Sequence, residues 1–107
     1  MDFENTLAQM LAAAKAAAGS HWKDVREYMR RELAAAEDEA KSIALEVANE
    51  VKTPEQAKIE LESIEASLLD VKLALTVASK AAAQDAINAA LDVLRSAVNS
   101  AAKVAIF

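Results

Sequence analysis

Apolar residues recur along this chain at spacings of three and four, the signature of helices that bury one face. The first stretch sets Phe3, Leu7, Met10, Leu11, Ala14 and Ala18 on one side and predicts a helix over about residues 3–18. Asp2 and Glu4 suit the positive end of its dipole. Gly19, the only glycine, falls where a chain leaving a helix needs a left-handed residue. Ser20 is then placed to cap the next helix across a tight turn.

The second stretch predicts a helix over about residues 21–51. Its seam is Trp22, Val25, Met29, Leu33, Ala36, Ala40, Ile43, Val47 and Val51, and Lys23, Glu27, Arg30, Arg31, Glu37, Asp38, Lys41 and Glu46 lie away from it. Glu27 with Arg31 and Glu37 with Lys41 are i,i+4 pairs in the favoured order. At ~1.5 Å per residue the helix is roughly 46 Å long. Thr53-Pro54-Glu55-Gln56 is the clearest local signal in the chain: a capping threonine, a proline suited to the first turn, and the start of a third helix. So short a connection makes the second and third helices antiparallel neighbours.

After Pro54 there is no further proline or glycine. Ala57, Leu61, Ile64, Leu68, Val71, Leu75, Ala78 and Ala82 form a coiled-coil-like seam. Asp85 falls where the next apolar residue is due, and the seam resumes as Ala86, Ala90, Leu94, Ala97, Ala101 and Val104. Such a shift resembles a stutter, which unwinds a supercoil locally without breaking the helix. The expected fold is therefore all-α: an antiparallel bundle of three helices in a single domain over 1–107, with a very long C-terminal helix over about 54–106. A continuous helix of that length would span ~80 Å. The alternative is a four-helix bundle with a break near residues 79–86, where Ser79 and Asp85 can cap.

Composition sharpens this picture. Alanine makes up about a quarter of the chain, while aromatic residues are 4%. Alanine favours helix because it loses no side-chain entropy, yet it buries little surface. The core must therefore rest on close helix approach. With 107 residues there is room for one small domain. The net charge of -5 disfavours nucleic acid as a partner, since phosphate attracts a positive field. There is no cysteine, hence no disulfide and no thiolate metal site. No stretch approaches the ~20 apolar residues of a membrane span, and the acidic start is unlike a signal peptide. The expected location is cytoplasmic.

Chemistry is sparse. His21 is the only histidine, and no strained nucleophile elbow accompanies it. Beside Trp22 at a helix start it reads as a turn residue. The paired Glu-x-x-His motifs of a carboxylate-bridged metal bundle are missing. Glu46 with Glu50, and Glu62 with Glu65, share a helical face but read as solvated acidic surface. Lys23, Arg26, Arg30 and Arg31 form a basic cluster interleaved with Glu27 and Glu32, which favours pairing within the helix. Trp22 and Tyr28 read as core or interface anchors. The Ala-rich runs at 12–18 and 81–83 lack the cationic polar face of membrane-active helices. No catalytic, cofactor-binding or metal-binding residue is assigned, and no enzymatic activity is expected.

A very long helix that is apolar on several sides needs partners. The second helix can cover only its first ~30 residues. The expected association surface is Leu68, Val71, Leu75, Ile87, Leu91, Leu94 and Val98, used by a homo-oligomer, with a two-fold dimer favoured. The functional expectation is a structural or protein-interaction molecule that self-associates through its C-terminal helix. Two alternatives stand beside it: a module that holds a small apolar ligand between Ala-lined helices, and an accessory protein that binds another macromolecule.

Overall fold

The computed structural model describes residues 5–71 and 76–107. Among the described residues four α-helices follow one another: α1 (Thr6–Ala18), α2 (Trp22–Ala48), α3 (Pro54–Leu69) and α4 (Val77–Ala102). A single 3-10 turn, Gly19–His21, joins α1 to α2. Gly19 adopts φ 57° and ψ −128°, a conformation nearly closed to residues with a Cβ. Ser20 does not cap α2: the helix follows the 3-10 turn directly, with His21 at its cap position and no side-chain hydrogen bond there.

α2 ends at Ala48, earlier than the periodicity suggests, and its exit is well defined. Glu50 takes φ 61°, the amide of Val51 donates to the Glu46 carbonyl at 2.8 Å, and that of Glu50 donates to the Val47 carbonyl at 3.1 Å. This is the Schellman pattern with glutamate at the position that usually holds glycine. The reversal is completed by a capping box at α3, in which Thr53 Oγ1 accepts from the Gln56 amide (3.2 Å) and Gln56 Oε1 accepts from the Thr53 amide (3.1 Å).

The expected all-α antiparallel bundle is present, and its last helix is long. That helix begins at Val77, however, and not at Pro54. α3 ends at Leu69, and α4 opens under its own cap, where Thr76 Oγ1 accepts from the Ser79 amide at 3.2 Å. The break thus precedes the 79–86 window. It also explains the shifted seam: Asp85 is exposed and Ala86 buried because α4 starts a new register at Thr76. Ala78, assigned to the seam, is exposed, and Ser79 beside it is buried. Leu75 of the expected seam, like Asp2, Phe3 and Glu4, lies outside the described residues.

Successive helices reverse direction, which leaves α2 and α4 parallel. His21, at the head of α2, has its Nδ1 3.4 Å from Ser79 Oγ in the first turn of α4. At the other end Val47 and Val104 line one hollow. α1 and α3 are each about half as long as this pair, pack against both members, and make no close backbone approach to one another. α1 lies against the head of the pair and α3 against its foot, in a body 44 × 23 × 18 Å across.

The core runs the length of the pair. Met10 and Ala14 from α1, Val25, Met29 and Leu33 from α2, Leu61 from α3, and Ile87, Leu91 and Val98 from α4 are buried. Ala36, Ala40, Ala83, Ala86, Ala90 and Ala97 are buried among them. These short side chains let the helix axes approach closely, as the composition requires.

Candidate interaction surface

Of the seven residues expected to form an association surface, six are described: Leu68, Val71, Ile87, Leu91, Leu94 and Val98. All six are buried within the single chain, which corrects their expected role as a surface open to another copy. The seventh, Leu75, lies outside the described residues. The physical reason is the break after Leu69. Once α4 folds back beside α2, its apolar face meets α1 and α2, and a partner is no longer needed to cover it.

The exposed apolar residues lie elsewhere. Val51 and Ile59 are about 70% exposed and share a shallow hollow with Lys52, Gln56 and Glu60. A second hollow, sharing Val51, Lys52 and Gln56, adds Val47, Glu50, Thr53, Pro54 and Val104. Val51 therefore stands between two depressions at the foot of the bundle, where the α2–α3 turn meets the end of α4. Sequence periodicity had placed Val51 in the buried seam. The left-handed Glu50 rotates it out of the helical register. Lys52 crosses the hairpin, pairing with Glu46 at 3.7 Å and hydrogen-bonding Glu60. The hydrogen bond to Glu60 is the main cause that holds its ammonium above the ordinary lysine range, aided by the Glu46 charge.

A folded-back tail lies near the same end. Lys103 closes α4 in the left-handed region at φ 63°. Ile106 is buried and Phe107 half-buried. Asn99 Oδ1 accepts from the Ile106 amide at 2.8 Å and from the Phe107 amide at 3.1 Å. Phe107 closes a small space lined by Leu61, Ile64, Glu65, Leu94, Arg95 and Val98. Arg95 lies 5.6 Å from the ring centroid of Phe107 and grips the nearly buried Glu65 carboxylate with Nε at 2.7 Å and Nη2 at 2.9 Å. That bidentate pair ties α3 to α4, and the Glu65 hydrogen bond raises the Arg95 pKa. None of this was visible as a motif, because thirty residues separate the two partners.

The chemical candidates have defined surroundings in the fold. His21 Nδ1 faces both Ser79 Oγ at 3.4 Å and Asp24 Oδ2 at 3.7 Å. A nucleophile–base relay uses the two ring nitrogens for different partners. Here one nitrogen meets both, and Ser79 Oγ also accepts from the Thr76 hydroxyl at 3.1 Å, so the cluster pins the heads of α2 and α4 together. Among the described residues no group of three His, Asp or Glu side chains gathers closely enough to hold a metal ion. Arg30 lies 3.7 Å and Arg26 3.9 Å from Glu27, and Arg31 lies 5.8 Å from the Tyr28 ring. The space beneath Phe107 is about 10 Å³, room for roughly one water. An open groove of about 350 Å³ between α2 and α3 is walled by Glu32, Glu39, Ser63 and Ser67 over Ala36 and Leu68. No described helix is long and apolar enough to cross a membrane.

The fold and this surface define a small all-α bundle whose two central helices run parallel; Val51, Ile59 and Val104 are exposed together at its foot, while Val77, also exposed, stands apart at its head. In comparisons with known proteins, no family model, no curated protein and no solved structure matches the chain.

Proposed function

We propose that this chain is a non-enzymatic, structural or protein-interaction molecule that self-associates, and that the contact lies at the foot of the bundle. The observation that carries this reading is the exposure of Val51 and Ile59 around one hollow, with Val104 at the end of the C-terminal helix beside it. Apolar side chains held in water at a shared site favour burial on contact, at ~25 cal/mol per Å² before the cost of association. The patch is small against the ~800 Å² that each partner of a stable complex contributes. Association through it alone is therefore weak and concentration-dependent.

Sedimentation equilibrium over a wide concentration range tests the reading. The wild-type mass is expected to rise with concentration, and the double variant Val51→Asp, Ile59→Asp to remain monomeric while keeping its helicity. A monomeric wild type at millimolar concentration would reject self-association. Equal association by the double variant would reject the site.

A further inference from the structure

We propose that the segment 103–107 after α4 is exchangeable between copies, so that Phe107 of one chain fills the α3–α4 cleft of another; this rests on the self-association proposed above and gives it a mechanism. The cleft is a built receptor for this peptide. Leu61, Ile64, Leu94 and Val98 line the space that Phe107 closes, Arg95 lies over its ring, and Asn99 Oδ1 takes two successive backbone amides. A second copy's tail makes the same contacts, so exchange gives up nothing at the cleft.

The hinge decides which way the exchange leans. The closed tail requires Lys103 to hold φ 63° with a Cβ present, which disfavours that state by roughly ten-fold relative to an ordinary conformation. A tail that extends away from α4 releases the strain at both hinges of a dimer. The anchor is also short: one buried isoleucine, one half-buried phenylalanine and one amide oxygen. The hinge adjoins Val104, which lines the hollow beside Val51. A reciprocal exchange therefore brings the two apolar feet together and adds their contact to that of the tails.

Two measurements on the full chain test this together. The first is the dimerisation constant of wild type, Lys103→Gly and Lys103→Val. Glycine relieves the closed hinge and is expected to weaken the dimer by roughly ten-fold per hinge. A β-branched valine tolerates the left-handed region worse than lysine and is expected to strengthen it. The second is an isotope-filtered NOE experiment on mixed labelled and unlabelled chains. Contacts from the Phe107 ring of one chain to the Leu94 and Val98 methyls of another are expected. A dimer without those contacts, or one indifferent to residue 103, overturns tail exchange and leaves self-association standing. A wild type that stays monomeric at millimolar concentration overturns both.

Discussion

Replacing Leu91 by Ala tests the central structural result, that the apolar face of α4 belongs to the chain's own core. Leu91 is 1% exposed, and the substitution deletes three buried carbons. At about 0.8 kcal/mol per buried carbon group, the transfer loss is about 2.4 kcal/mol. A cavity contribution adds to it, because Ala83, Ala86, Ala90 and Ala97 supply much of the nearby core and short side chains cannot reach in to fill the gap. The expected total is about 3–4 kcal/mol, a large share of the roughly 5–15 kcal/mol that holds a domain of this size together. Urea unfolding followed by far-UV circular dichroism should show a lower midpoint with an unchanged slope, and heating should show a melting temperature lower by about 10–20 °C. The loss should be the same at low and high protein concentration, since no second chain is involved in burying Leu91. A loss below about 1 kcal/mol, or one that grows with protein concentration, would refute the assignment of this face to the monomer core. The exposed Lys41→Ala is the control, expected to change stability by less than about 0.5 kcal/mol.

Further outcomes follow from local geometry. Glu50→Gly should stabilise the fold by about 0.5–1 kcal/mol, because glycine removes the Cβ penalty at a left-handed helix exit, as urea unfolding will show. Gly19→Ala should destabilise it by about 1–3 kcal/mol through backbone strain alone, since an added Cβ would meet no atom within 4 Å. Thr53→Ala, which removes half of the capping box, should cost about 1 kcal/mol in the same assay. For Lys52, whose folded-state pKa is raised, the ion-pair contribution is fully present below its unfolded value near 10.5 and is lost as pH rises through the folded value. Stability measured from neutral to strongly alkaline pH should therefore fall less steeply in Lys52→Met than in the wild type. A variant curve parallel to the wild type would count against the pairing.

Elements whose signals are local can be read directly from the residues. The seam of α2 from Val25 to Val47, the turn at Gly19 and the Thr53 cap each depend on a few neighbouring residues and on backbone preferences that act before any tertiary contact. The all-α class followed from them. The break before α4 did not, because Thr76 sits in a run of apolar and helix-compatible residues with neither glycine nor proline to mark the stop. Packing of the whole chain sets the end of α3 at Leu69 and the start of α4 at Val77, and much follows from that. A stripe such as Ile87, Leu91, Leu94 and Val98 is equally apolar whether it faces its own chain or another. Which one it faces depends on whether a break lets α4 return beside α2. Val51 shows the converse: its seam position looked buried, but a left-handed Glu50 turned it into solvent. The Glu65–Arg95 grip and the seat of Phe107 join residues far apart in the chain, so they exist only once α3 and α4 have been packed together.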